Sequence, residues 1–99
     1  MNVAPVALEF DYGVVDLSVD STTVKAGQCA VRGIYVNTVL SAHACPIKDD
    51  TVTVFTLPAS LAAGTFVNLG DAHFKTSIVV DPDNAATGNI TVIYKPAIG

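Results

Sequence analysis

Glutamate occurs once in this 99-residue chain, against eight aspartates. That imbalance constrains the fold more than any motif does. Exposed helix faces are normally dressed with Glu, Lys and Arg, and Lys and Arg together number only five here. Aspartate instead favours turns, where its carboxylate bonds nearby backbone amides. The commonest residues are Val (15), Ala (13) and Thr (10). Val and Thr are stiff at χ1 and suit a pleated surface. Short β-branched runs separated by Asp, Asn, Gly and Pro therefore predict an all-β domain, a sandwich or small barrel of seven or eight strands. The length allows one hydrophobic core, so a single domain is expected over residues 1–99.

Turn signals divide the chain. Val6 to Phe10 reads as a first strand or an arm, and residues 1–10 are the segment best suited to reach a neighbour. Asp11-Tyr12-Gly13 reads as a turn, and Val14 to Val19 as a loosely alternating strand. Cys29 to Thr38 is the first strong strand. Simple alternation puts Ala30, Arg32, Ile34 and Val36 on one face and Val31, Gly33, Tyr35 and Asn37 on the other. Gly33 in mid-strand points to a bulge or a close neighbour. Proline cannot donate to a ladder, so Pro46 predicts that His43 to Lys48 lies at an edge or beside a bulge. Asp49-Asp50 then turns into Thr51 to Leu57, the best hairpin in the chain. Pro58 to Gly64 is the one helix-permissive stretch and is too short for more than a turn. Thr65 to Leu69 is a brief strand, Gly70-Asp71 a turn, and His73 to Val80 a strand with Phe74, Thr76, Ile78 and Val80 on one face. Ile90 to Lys95 is the last strand, with Ile90, Val92 and Tyr94 together.

Composition also excludes several classes. Hydrophobic residues make up 51% and charged residues 14%, so the chain has ample apolar material to bury and is not disordered. A net charge of −4 argues against a nucleic-acid partner, because phosphate contacts need clustered positive charge. Thr51 to Gly70 is an uncharged run of twenty residues, which is membrane-spanning length for a helix. Pro58, Gly64 and Asn68 interrupt it, and Thr51 to Val54 alternates. Two strands and a loop are expected there, with no membrane partner. The start of the sequence lacks a basic leader, so synthesis in a reducing cytosol with free thiols is expected.

Candidate chemistry is thin. Cys29, His43, Cys45 and His73 are a tetrahedral zinc inventory, but only His43 and Cys45 are close in sequence, whereas zinc sites bring ligands in paired motifs. Cys45 buried beside Ile47, with surface histidines, accounts for the same residues. A catalytic Cys–His pair lacks any local signature, and a Cys29–Cys45 disulfide requires neighbouring strands. Asp81-Pro82-Asp83-Asn84 and Asp49-Asp50 read as solvated turns before calcium ligands. Asn89-Ile90-Thr91 matches the glycosylation pattern by coincidence. No phosphate loop or nucleophile elbow is present. The reading is non-enzymatic, with no catalytic, metal or cofactor residues assigned. Few charges on a half-apolar chain predict exposed apolar patches, the usual mark of an association surface.

Several short features resemble small virion proteins of tailed bacteriophages, taken in order. Gly33-Ile34-Tyr35-Val36-Asn37-Thr38 resembles their first core strand, and Ile47-Lys48-Asp49 with Thr51-Val52-Thr53-Val54 the following hairpin. Leu57-Pro58-Ala59 through Ala62-Ala63-Gly64-Thr65 resembles a small-residue loop. His73 to Asp81 and Gly88 to Tyr94 resemble the last two strands. The likeness covers about residues 30 to 96. It implies a jelly-roll-like sandwich that serves the particle, with capsid decoration, or cement, as the expected role. The expected partner is then the major capsid protein, the expected location the outer capsid surface, and the expected assembly a homo-oligomer, a trimer by preference. The alternative is a tail, neck or head-fibre component that binds a receptor or glycan. Ile34, Val36, Val52, Val54, Phe74, Ile78, Val80, Val92 and Tyr94 are the expected core or interface residues.

Overall fold

One hairpin organises the whole molecule. In the computed structural model, which describes residues 10–96, the chain turns at Asp50-Thr51 between β4 (Cys45–Asp49) and β5 (Val52–Leu57). The strands on either side of that turn then pair in nested order. β3 (Cys29–Thr38) pairs with β6 (Phe66–Phe74), β2 (Thr22–Ala26) with β7 (Ser77–Val80), and β1 (Asp11–Asp16) with β8 (Asn89–Pro96), all antiparallel. This long hairpin is wound into two four-stranded sheets, a front sheet β1-β8-β3-β6 and a back sheet β2-β7-β4-β5. The result is a small all-β sandwich with jelly-roll connectivity.

The core lies between the sheets. Val15, Val31, Ile34, Val36, Phe74, Ile90, Val92 and Tyr94 enter it from the front, and Cys45, Ile47, Leu57, Ile78 and Val80 from the back. Period-two alternation in β8 puts Ile90, Val92 and Tyr94 inside, as expected. Gly13 on β1 faces Val24 so closely that a methyl group there would collide with the valine. That close approach lets β1 and β2 draw together and shut one flank of the sandwich.

Several sequence expectations are corrected. Asp11-Tyr12-Gly13 is no turn but the first half of β1, paired with Tyr94, Ile93 and Val92. Gly70-Asp71 lies within β6, and His73 to Val80 is two strands separated at Lys75-Thr76. β4 sits inside the back sheet, not at an edge. Pro46 is tolerated because the β4–β7 register ends at Ile47 opposite Val80, so its missing donor falls just past that ladder. Its carbonyl still accepts the Asp81 amide at 3.0 Å. The expected bulge is present next door, between Ile47 and Lys48.

Bulges also explain the misassigned faces. Arg32 is an extra residue in β3 relative to β8, so the inward set changes from Cys29 and Val31 to Ile34 and Val36. Arg32 is therefore exposed and Val31 buried, the reverse of simple alternation. On β5, Val54 is the extra residue opposite Ile47 and Lys48. Phe55 and Leu57 turn inward, while Val52 and Val54 remain 63% and 47% exposed and leave the core. The 58–65 segment forms turns without a helix, with Ser60 and Gly64 at positive φ. Of the expected arm, only Phe10 falls within the described residues.

Candidate functional site

The four candidate zinc or catalytic side chains do not gather into one cluster. Cys29 and Cys45 are free, buried thiols on different sheets, at the starts of β3 and β4. Burial pushes the Cys45 thiol up to about 11 and raises that of Cys29 as well. Both are held as neutral thiols near pH 7, the opposite of the thiolate that a nucleophile needs. His43 lies 3.5 Å from Asp83 across an exposed contact. His73 meets the Gln28 side chain at 2.9 Å, also at the surface. Among the described residues, no three His, Cys, Asp or Glu side chains stand close enough to share a metal ion.

The acidic turns are used structurally. Asp49 accepts the backbone amides of Lys75, Thr76 and Ser77 at 2.9, 2.8 and 3.2 Å. Partial burial works against its charge, but these three amides outweigh it and hold its carboxyl below the ordinary value. Asp49 thus ties the tip of the central hairpin to the β6–β7 turn. Thr76 in turn accepts the Gly27 amide at 2.7 Å, which adds the β2–β3 turn to the same end. Asp81 pairs with Lys48 at 2.8 Å. Asp83 accepts the Ala85 amide, the main reason its carboxyl is lowered. Asn89 accepts a hydrogen bond from Asn37 at 2.6 Å, so the side chain in the glycosylation pattern is occupied within the front sheet.

The feature that stands out is the outer face of the front sheet. The register aligns Tyr12, Ile93, Gly33 and Asn68 in one cross-strand row. The next row is Val14, Thr91, Tyr35 and Phe66. Tyr12, Val14, Tyr35 and Phe66 are 65%, 57%, 41% and 44% exposed. Neither row carries a charge. Gly33 has a specific part in this: a methyl group there would run into the Phe66 ring and the Val67 carbonyl. The missing side chain lets Phe66 lie across the sheet and makes a shallow aromatic shelf with Tyr35. Both sequence expectations for Gly33, a bulge and a close neighbour, are met here.

Charge is confined to the ends of this face. Arg32 at the bulge gives Asp71 two hydrogen bonds, at 2.6 and 3.3 Å. This contact lowers the Asp71 carboxyl and raises Arg32. The guanidinium also lies 4.3 Å from the centre of the Phe10 ring. Asp71 belongs to the Leu69-Gly70-Asp71 bulge of β6, where Gly70 and Asp71 both have positive φ. Asp16 marks the other end and bonds Ser18 through its carboxylate.

Sequence reasoning foresaw an apolar patch but not its residues. Tyr12 was hidden by the turn reading of Asp11-Tyr12-Gly13. The signal was available: Tyr12 and Val14 share a parity opposite to that of buried Val15. No helix among the described residues is long and apolar enough to cross a membrane, and the uncharged run from Thr51 to Gly70 forms β5, a loop and the start of β6. Comparison of the chain with protein-family models, curated proteins and solved structures finds no match to any of them.

Proposed function

We propose that this chain is a non-enzymatic structural protein of a tailed-phage particle, and that it decorates the outside of the capsid shell. The observation that carries the reading is the uncharged apolar face formed by Tyr12, Val14, Tyr35, Phe66 and Ile93. A face of this kind is unfavourable in water unless something covers it. The proposed cover is the major capsid protein, with the front sheet laid flat on the shell and the acidic turns directed away from it. Weak docking at each site adds up when linked copies engage a repeating lattice together.

Two further points support the reading. The jelly-roll connectivity is one used by viral capsid domains, although lectins and cupins share it and fold alone does not choose between them. The segments that resemble phage virion proteins fall on β3, the β4–β5 hairpin, the 58–65 loop, the end of β6 with β7, and β8. They therefore cover most of the sandwich and not one isolated patch.

The second reading, a glycan- or receptor-binding component of tail, neck or head fibre, draws on the same face. Tyr12, Tyr35 and Phe66 are aromatic and exposed, as a sugar platform requires. Quantitative mass spectrometry of purified particles separates the two. The decoration reading predicts copies approaching parity with the major capsid protein. A few copies per particle would favour the tail or neck reading, and absence from the particle would overturn both.

A further inference from the structure

Among the described residues, the two sheets leave four strand edges, β1 and β6 in front, β2 and β5 behind. An unpaired edge is a template for another strand, and proteins block it with charge, bulges or proline. Three of these edges are blocked. β1 carries Asp11 and Asp16 at its ends. β2 carries Lys25 and a register shift between Thr23 and Lys25. β6 is broken by the Leu69-Gly70-Asp71 bulge with its Arg32–Asp71 ion pair.

β5 differs from the other three. Its sequence, Val52-Thr53-Val54-Phe55-Thr56-Leu57, has high β propensity and no charge. Like β2 it has one extra residue in its ladder, Val54, but that residue is an exposed apolar side chain with no charge beside it in the strand. The whole run from Thr51 to Gly70 is uncharged, so β5 itself brings no carboxylate to a second copy of a −4 chain, and Asp71 on neighbouring β6 is neutralised by Arg32. The opposite flank, where β1 meets β2, carries Asp11, Asp16, Asp20 and Lys25.

We infer that β5 pairs antiparallel with β5 of a second copy, joining the two back sheets into one eight-stranded sheet. Pairing of an edge with itself is two-fold by construction. The closed unit is then a dimer, not the trimer that sequence reasoning favoured. Antiparallel pairing sends the two Asp50 carboxylates to opposite ends of the seam. A contact of one short strand falls below the ~1,200 Å² of a standard interface, so the dimer is weak and forms at high local concentration. This inference stands apart from the virion reading and can fail or hold without it.

Sedimentation equilibrium of the full chain, from about 10 µM to about 1 mM, tests it. The wild-type protein is expected to shift from monomer to dimer across that range. Val54→Lys places like charges across the seam and is expected to weaken the dimer roughly a hundredfold. Val19→Lys, exposed on the opposite flank, is expected to leave dimerisation unchanged. Thermal melts of both variants confirm that each is folded. A wild-type chain that stays monomeric to about 1 mM would overturn the inference. So would a trimer, or a dimer that survives Val54→Lys in a folded variant.

Discussion

The outer faces of the two sheets are built from similar strands, yet they solve exposure differently. The back face has an ion pair, Lys48 with Asp81, standing over β4 at its centre. Its neighbours in register are Val79, half-buried, and Thr23, exposed and polar. The front face has Tyr35 and Ile93 on its inner strands, Val14 and Phe66 on its outer ones, and keeps its charges at the ends. A sheet face meant only for water can take charge anywhere. One that keeps large apolar side chains in two uncharged rows pays a solubility penalty for them, and that penalty makes sense if the face is covered in use.

The largest expected effect lies beneath both faces. Phe74 is fully buried at the end of β6 and is among the largest core side chains. Phe74→Ala is expected to destabilise the domain by ~3–5 kcal/mol, measured by urea unfolding. A loss below ~1 kcal/mol would mean that the two sheets do not share one close-packed core, and the contrast between their outer faces would lose its frame.

Next comes the shelf itself. Gly33→Ala is expected to cost ~1–3 kcal/mol by overpacking, because the new methyl must displace the Phe66 ring or the Val67 backbone. The front face should change with it, and the NMR resonances of the Tyr35 and Phe66 rings report that change. An unfolding midpoint equal to wild type would show that Phe66 does not rest on Gly33.

A smaller, pH-dependent effect belongs to the hairpin tip that anchors the back sheet. The Asp49 carboxyl is held below its ordinary value in the folded state. Its contribution is therefore complete above the ordinary carboxylate range of about pH 4 and is lost as pH falls through the lower folded value. Asp49→Asn should cost about 1–2 kcal/mol at pH 7, where three amides lose a charged acceptor, and less at about pH 3, below the ordinary carboxylate value. Unfolding curves that differ equally at both pH values would remove the charge from this account.

The fold was legible where strands are regular and obscure where they are bulged. β8 alternates without interruption, and its inward residues could be read directly. In β3, β5 and β6 the parity of the apolar residues changes in mid-strand. β5 runs Val52, Val54, then Phe55, Leu57, and β6 runs Val67, Leu69, then Ala72, Phe74. Each switch is visible in the sequence as apolar residues that change parity, and each coincides with a bulge. Treating a switch as a turn split β6 at Gly70-Asp71, while treating β5 as one alternating run left Val52 and Val54 between core and interface, and their exposure places them outside the core. The place of β4 inside its sheet was not legible, because it depends on β7 arriving from thirty residues downstream. The candidate site was hidden for the same reason. Tyr12, Ile93, Tyr35 and Phe66 become neighbours only through pairings between distant strands.

The central claim is that the front face, not the back, meets the shell. Its most direct test is co-sedimentation of the purified protein with shells assembled from the particle's major capsid protein. Tyr35→Asp puts a charge in the middle of the front rows, and Thr23→Asp puts one on the back face. Both positions are exposed, so both variants are expected to remain folded, which a thermal melt of each checks. The account predicts that Tyr35→Asp abolishes sedimentation with the shells while Thr23→Asp binds as the wild type does. Undiminished binding by Tyr35→Asp, or loss of binding in Thr23→Asp alone, would contradict it.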